Sequence, residues 1–255
     1  MIDLTGQRRP LPPGALQAMA QAIVHRGPDE DGFLERPGLG FANRRLSIVG
    51  LADGRQPIAN EDGSVITVFN GELFDYPELR AKLETRGHRF RTHADTENIV
   101  HLWEDHQEAM WEHLRGQFGI AVYDEKRQRV VLGRDRVGIC PLYWARSDGW
   151  LLFGSEIKAI LASGMIEARP EPRGINHLFT FFALPGPVTC FQGIQLLPPG
   201  RFLDICLDTG RVEERIYHRL EFPEAGQEDA RDVETLTKEF EDHLLAAVTR
   251  RLRAD

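Results

Sequence analysis

Apolar positions change period several times along the chain, and each change marks an element. Leu16, Met19 and Ile23 recur at helical spacing after Pro12-Pro13, a suitable helix entry. The run His25-Arg26-Gly27-Pro28-Asp29 ends that helix and reads as a loop. Val65 to Phe69 (VITVF) is rich in β-branched residues and predicts a strand, broken at Asn70-Gly71, a strong turn pair. A helix follows from about Pro77 to Arg86, with Leu79 and Leu83 on one face and Gly87 at its stop. Asp95 and Thr96 open another, carrying Ile99, Leu102 and Trp103.

Gly119 to Tyr123, Val130 to Gly133, Leu142 to Trp144 and Leu151 to Gly154 read as strands joined by turns. Turns of that length suit antiparallel pairing, because parallel neighbours need a long crossover. Helices are predicted near Ile157 to Ala162 and Ile175 to Ala183. Beyond the Leu197-Pro198-Pro199-Gly200 turn come two strands, Phe202 to Leu207 and Arg211 to Tyr217. Pro223 to Asp232 is acidic and turn-rich, like a linker. After it Leu236, Phe240, Leu244, Val248 and Leu252 form one apolar stripe of a long helix. That stripe has two readings: a further domain covers it, or it packs back on the preceding domain. The residues alone predict a mixed, mainly antiparallel α+β fold.

Composition narrows the partners. The chain has 255 residues, 42% hydrophobic and 27% charged, which is ordinary for a globular domain. A net charge of -8 disfavours nucleic acid and anionic membranes as partners. No uncharged apolar run is long enough to span a bilayer, and Met1 to Pro13 holds no signal-peptide core. Cys140, Cys190 and Cys206 form no CxxC pair and no zinc pattern with the histidines. A cytoplasmic protein with reduced thiols and no metal is expected. There is no GxxxxGK[ST], no GxSxG and no HExxH, and Gly38-Leu39-Gly40 lacks the rest of a dinucleotide fingerprint.

Several polar segments carry two readings each. Arg26-Gly27-Pro28-Asp29 shapes a pocket or simply ends a helix. Arg45, in the Arg44-Arg45 pair, forks onto a carboxylate or sits in a surface ion pair. Asn70 and Gly71 hold an oxyanion or make a plain Asx turn. Asp95 binds an ammonium, caps the helix after it, or does both. The Arg134-Asp135-Arg136 cluster reads as a structural ion-pair network.

Taken in order, eight segments are more specific than any one. They read HRGPDEDG (His25 to Gly32), NRRLSIVG (Asn43 to Gly50), QPIANEDGS (Gln56 to Ser64) and FNGELFDYPELR (Phe69 to Arg80). GHRFRTHADTENIV (Gly87 to Val100), LRGQFGIAVYD (Leu114 to Asp124), GRDRVGICPLYW (Gly133 to Trp144) and LLFGSEIKAIL (Leu151 to Leu161) follow. Over about residues 1 to 217 this resembles the class II glutamine-amidotransferase domain of glutamine-hydrolysing asparagine synthetases. Residues 218 to 255 are similar to the linker and helix leading into that family's ATP-binding synthetase domain.

The resemblance implies a four-layer αββα sandwich of the N-terminal-nucleophile hydrolase type. It implies an N-terminal cysteine whose thiolate attacks the glutamine amide, with its own α-amine as proton shuttle. Released ammonia would travel to a synthetase domain that uses ATP and magnesium to amidate aspartate; this domain needs no cofactor, and a homodimer is possible. By motif, Arg45 would grip the glutamine α-carboxylate, and Asp95 the α-ammonium, with Glu72 and the Gly71 backbone helping. Asn70 and the Gly71 N–H would form the oxyanion hole. Ile48 and Val49 would add backbone contacts, and Arg26 and Gly27 would lie beside the nucleophile.

There are departures. The family opens Cys-Gly-Ile-Ala-Gly, and here Met1-Ile2 stands where that first strand ends, so the nucleophile is missing and Met1 is expected not to be the natural start. Asn43 replaces a usual histidine, and Cys140 a common lysine. A different acceptor, or a non-catalytic glutamine-binding domain, are the alternative readings.

Overall fold

The computed structural model describes residues 1–46, 50 and 52–252. The elements in chain order begin with β1 (Ile2–Asp3), α1 (Ala15–Gln21), β2 (Glu30–Arg36), β3 (Leu39–Arg45), β4 (Ile58–Ala59) and β5 (Val65–Leu73). Then come α2 (Tyr76–Thr85), α3 (Glu97–His106), α4 (Met110–His113), β6 (Gly116–Asp124), β7 (Arg129–Arg134), β8 (Tyr143–Ser147) and β9 (Trp150–Gly154). The last are α5 (Ile157–Ala162), α6 (Pro172–Phe181), β10 (Ile194–Leu196), β11 (Arg201–Cys206), β12 (Val212–Ile216) and α7 (Val233–Arg250).

The strands form two antiparallel sheets, ordered β10-β8-β9-β1-β3-β2 and β12-β11-β7-β6-β5-β4. Strands of the second sheet are apolar on both faces, so their period of two sorts residues between two cores. Val65 and Phe69 of β5, Phe118, Ile120 and Val122 of β6 and Val131 of β7 face α2, α3 and α4, whose Leu83, Ile99, Trp103 and Trp111 complete that core. Ile66, Val68, Ala121, Tyr123, Val130 and Leu132 face the other way and meet Ile2, Leu39, Phe41 and Leu151 of the first sheet. The first sheet's outer face, with Ala145, Trp150 and Leu152, packs under Leu16 and Met19 of α1 and Ile160 of α5. The result is a helix–sheet–sheet–helix sandwich, as the resemblance implied.

Two boundaries differ from expectation, and α7 bears on its two readings. Asn70-Gly71 makes no turn: β5 runs on to Leu73, with Asn70 opposite Gly119 and Gly71 opposite Phe118. Tertiary pairing with β6 overrides the local turn preference. Helix α6 starts at Pro172 rather than Ile175, because the Glu171 side chain caps it through the Arg173 N–H and proline suits the first helical position. Helix α7 leaves its stripe open, with Phe240 66% and Leu244 51% exposed, so it does not pack back along that face. Residues 223–232 hold no helix or strand.

Candidate functional site

Two strand ends and one helix start converge. Arg45 is the last residue of β3, Asn70 to Leu73 form the far end of β5, and Asp95 lies just before α3. Gln56 ties them together: its Oε1 accepts the Phe69 N–H at 2.7 Å and its Nε2 donates to Thr96 Oγ1 at 3.4 Å. Between these elements lies a cavity of about 300 Å³, at the low end of small-molecule sites. Arg26, Arg45, Asn70, Gly71, Glu72 and Asp95 all line it, as do Asn43, Gln56 and Cys140.

Asp95 links β5 to the start of α3. Its Oδ2 accepts the Leu73 N–H at 2.9 Å, and its Oδ1 accepts from the hydroxyl of Thr96, the N-cap residue of α3, at 3.3 Å. Asp95 is 5% exposed, and burial pushes its carboxyl up to about 6, with a smaller contribution from the Glu72 charge. Arg45 is buried as well. Its guanidinium donates to Glu30 Oε2 at 2.7 Å and to the Gly50 carbonyl at 2.8 Å, which fixes the fork while it lines the cavity. The Asn70 Nδ2 is buried and has no hydrogen-bond partner among the described residues. Such an amide is costly unless something accepts from it.

Gly71 has a physical reason to be glycine. Its φ is 152°, and a Cβ there would sit 1.9 Å from the Gln117 carbonyl oxygen across the ladder. Gly27 does not line the cavity. It is pressed against β3, where a Cβ would lie 2.4 Å from the Arg45 nitrogen, so it sets the approach of the Arg26 loop to the strand. Arg26 reaches Glu156 Oε1 at 3.3 Å. Ile48 and Val49 lie outside the described residues.

The Arg134-Asp135 pair is structural, but through backbone groups. Arg134 donates to the carbonyls of Gly138, Cys140 and Leu197, and Asp135 accepts from the N–H groups of Phe118, Val137, Gly138, Ile139 and Cys140. This cradle carries Cys140 to the cavity wall. Burial pushes the Cys140 thiol up to about 11, so it is protonated and a poor nucleophile near neutral pH. Sequence reasoning missed Gln56 as an organiser of the site, although it opens one of the eight quoted segments.

A second, apolar cavity adjoins the first and shares Asn43, Phe69 and Asn70 with it. It runs from Met1 between β3 (Gly40, Ala42) and β9 (Phe153, Gly154). Strand β1 adjoins this cavity, pairing Ile2 with Leu39 and with Leu151. The Met1 α-amine is buried there, donates to the Gly40 carbonyl at 2.7 Å, and is pushed down to about 5 by burial.

A guanidinium (Arg45), two carboxylates (Glu72, Asp95) and an unpartnered amide (Asn70) thus line one cavity. The family model described as "glutamine amidotransferase domain" matches residues 3–218. The chain belongs to that family. It is 37% identical over 217 residues to asparagine synthetase [glutamine-hydrolyzing] 2 of Bacillus subtilis (strain 168), covering 81% of this chain and 28% of that protein. It is 35% identical over 244 residues to amidase chry2 of Gibberella zeae, covering 94% of this chain and 35% of that one. Among solved structures, the glutamine phosphoribosylpyrophosphate amidotransferase of B. subtilis superposes with a TM-score of 0.62 at 16% identity, over 82% of this chain and 47% of that one. That likeness supports the N-terminal-nucleophile sandwich as a fold. The chain spans about a third of the length of the curated relatives it matches. No helix among the described residues is long and apolar enough to cross a membrane.

Proposed function

We propose that this amidotransferase domain binds glutamine in the cavity between β3, β5 and α3 and supports its hydrolysis to glutamate and ammonia. The single observation that carries the reading is the meeting of Arg45, Asp95 and the unpartnered Asn70 amide in one cavity. Arg45 holds the α-carboxylate, and Asp95 with Glu72 holds the α-ammonium. The carboxamide then lies towards Asn70. A thiolate attacking its carbon would place negative charge on the oxygen, stabilised by the Asn70 amide and the Gly71 N–H. Collapse expels the nitrogen as ammonia once it is protonated, leaving a thioester that water cleaves.

Cys140 is a poor candidate for that thiolate, given its raised pKa. We place the nucleophile on a segment that extends β1 along the apolar cavity between β3 and β9, which opens at Asn70. The ammonia serves a synthetase unit that activates aspartate with ATP and magnesium, a reading that rests on likeness to asparagine synthetases. The 35% likeness to an amidase over 94% of the chain favours a second acceptor reading, in which another carboxyl compound is amidated.

The test is glutamine-dependent ammonia release. The chain beginning at Met1 should show none. The same chain preceded by Cys-Gly-Ile-Ala-Gly, with the cysteine amine free, should show turnover. In that background Asn70→Ala should lower kcat by about 10²–10³, the usual loss for one oxyanion donor. An extended chain that folds, as judged by circular dichroism, yet stays inert towards glutamine would refute the proposal.

A further inference from the structure

Four metal-ligating side chains meet beside α3, none of them among the residues lining the glutamine cavity. Glu61 comes from the turn between β4 and β5, His88 from the loop after α2, and His101 and Glu104 from one face of α3. Each offers one ligand atom, and the four atoms lie within 4.8 Å of one another. His101 is fully buried, and His88 is 14% exposed at its side chain.

The distances carry the argument. His101 Nδ1 lies 3.4 Å from Glu61 Oε2 and 3.3 Å from Glu104 Oε2, and His88 Nδ1 lies 3.6 Å from Glu104 Oε2 and 3.5 Å from Glu61 Oε1. Charge-assisted hydrogen bonds close to about 2.7–2.9 Å, so all four contacts are too long for strong direct pairing. The three that run through the Oε2 atoms are close to the edge of a tetrahedron. Zinc bonded to imidazole nitrogen and carboxylate oxygen at about 2.0–2.1 Å requires ligand-to-ligand edges of about 3.3–3.4 Å.

The surroundings hold the ligands as a metal would need them. The Arg89 N–H donates to Glu61 Oε1 at 2.9 Å, and Asn60 Nδ2 donates to Glu104 Oε1 at 2.8 Å. Each carboxylate thus has one oxygen anchored and its Oε2 turned towards His101. The outer nitrogens of both rings face carboxylates. His88 Nε2 is 3.2 Å from Asp105 Oδ1, and His101 Nε2 faces Glu97 Oε1 at 3.7 Å. A proton on each Nε2 leaves the Nδ1 lone pairs pointing to the shared centre, the arrangement that orients histidine ligands in metal sites. Two neutral imidazoles and two carboxylates exactly balance a divalent charge.

We propose that Glu61, His88, His101 and Glu104 form a tetrahedral structural zinc site that staples the β4–β5 turn and the α2–α3 loop to α3. No spacing motif announces it, since the ligands come from three separate segments and only His101 and Glu104 are close in sequence. The site closes with four protein ligands and leaves no open position, so its role is stability rather than catalysis.

The test uses the chain without an affinity tag. Chelator-treated protein should take up one zinc per chain, raising its unfolding temperature. Cobalt should bind at the same ratio with the intense visible bands of tetrahedral coordination. Glu61→Gln and His88→Gln, both at partly exposed positions, should each weaken zinc binding at least about tenfold. Because either change could loosen the fold, the circular dichroism of each metal-free variant is compared with that of the metal-free parent. Failure of the parent to bind zinc stoichiometrically, octahedral cobalt bands, or folded variants that bind zinc as well as the parent would each overturn the site.

Discussion

Asp95 shows how far a single residue can be read. In the sequence it stood before a helix, where capping and ligand binding could coexist. In the structure one carboxylate oxygen accepts the Leu73 N–H beside the cavity and the other the Thr96 hydroxyl at the start of α3. The first contact depends on β5 arriving from another part of the chain, which no local pattern could reveal. Its carboxyl, raised to about 6 by burial, makes a pH prediction. The native state holds this proton between the unfolded value near 3.8 and about 6, so the group's contribution to stability is present at low pH and falls as pH rises through that window. Glutamine binding has the opposite sign, because an ammonium needs the ionised partner. Calorimetry on the extended chain should find glutamine bound roughly tenfold more weakly at pH 5 than at pH 7. Asp95→Asn should weaken binding at pH 7 by about 1–3 kcal/mol and flatten the profile. An unchanged pH profile in that variant would remove Asp95 from the ammonium site.

At the scale of elements, most helices and strands were legible because their apolar period is clean, as in α2 with Leu83 and α3 with Ile99, Leu102 and Trp103. The far end of β5 was not. Asn-Gly is a good turn pair, and only the nine-residue ladder with β6 keeps it extended. The same ladder explains what Gly71 does. Gly71→Ala would push a Cβ to within 1.9 Å of the Gln117 carbonyl oxygen at a φ of 152°. We expect a loss of about 1–3 kcal/mol in urea unfolding, the usual scale for a strained backbone position. Gly63, with φ 77° and nothing near its Cβ position, is a control for the backbone cost without the clash. Equal losses at both sites would show that contact with β6 adds nothing.

For the whole molecule, residue patterns alone reached an antiparallel α+β fold and stopped short of the layers. Strands buried on both faces do not say which residue belongs to which core, so the four layers entered through the resemblance. The same whole-molecule view leads to the line between β3 and β9. There the Met1 amine, held uncharged near neutral pH by burial, occupies a place in the ladder opposite Gly40 where a peptide N–H would serve equally well. Burial holds its pKa near 5 against 8.0 when exposed, so the unfolded chain binds this proton more readily between those values. By linkage this amine costs stability as pH falls from about 8 to 5. Preceding Met1 with Cys-Gly-Ile-Ala-Gly turns that nitrogen into an ordinary amide, retains its bond to Gly40, and fills the apolar cavity with strand. The difference in unfolding free energy between the extended and unextended chains should therefore widen as pH is lowered from 8 to 5.5. At pH 7 the extension should add about 2 kcal/mol or more, which is roughly 4–8 °C in a domain of this size. A control extension, Cys-Gly-Pro-Asp-Gly, cannot donate at the proline and puts a charge in the apolar slot, so it should stabilise far less. Calorimetric scans of the three chains decide the matter. If both extensions raise the unfolding temperature equally, removal of the buried titratable amine is the whole effect, and the slot between β3 and β9 does not receive a strand.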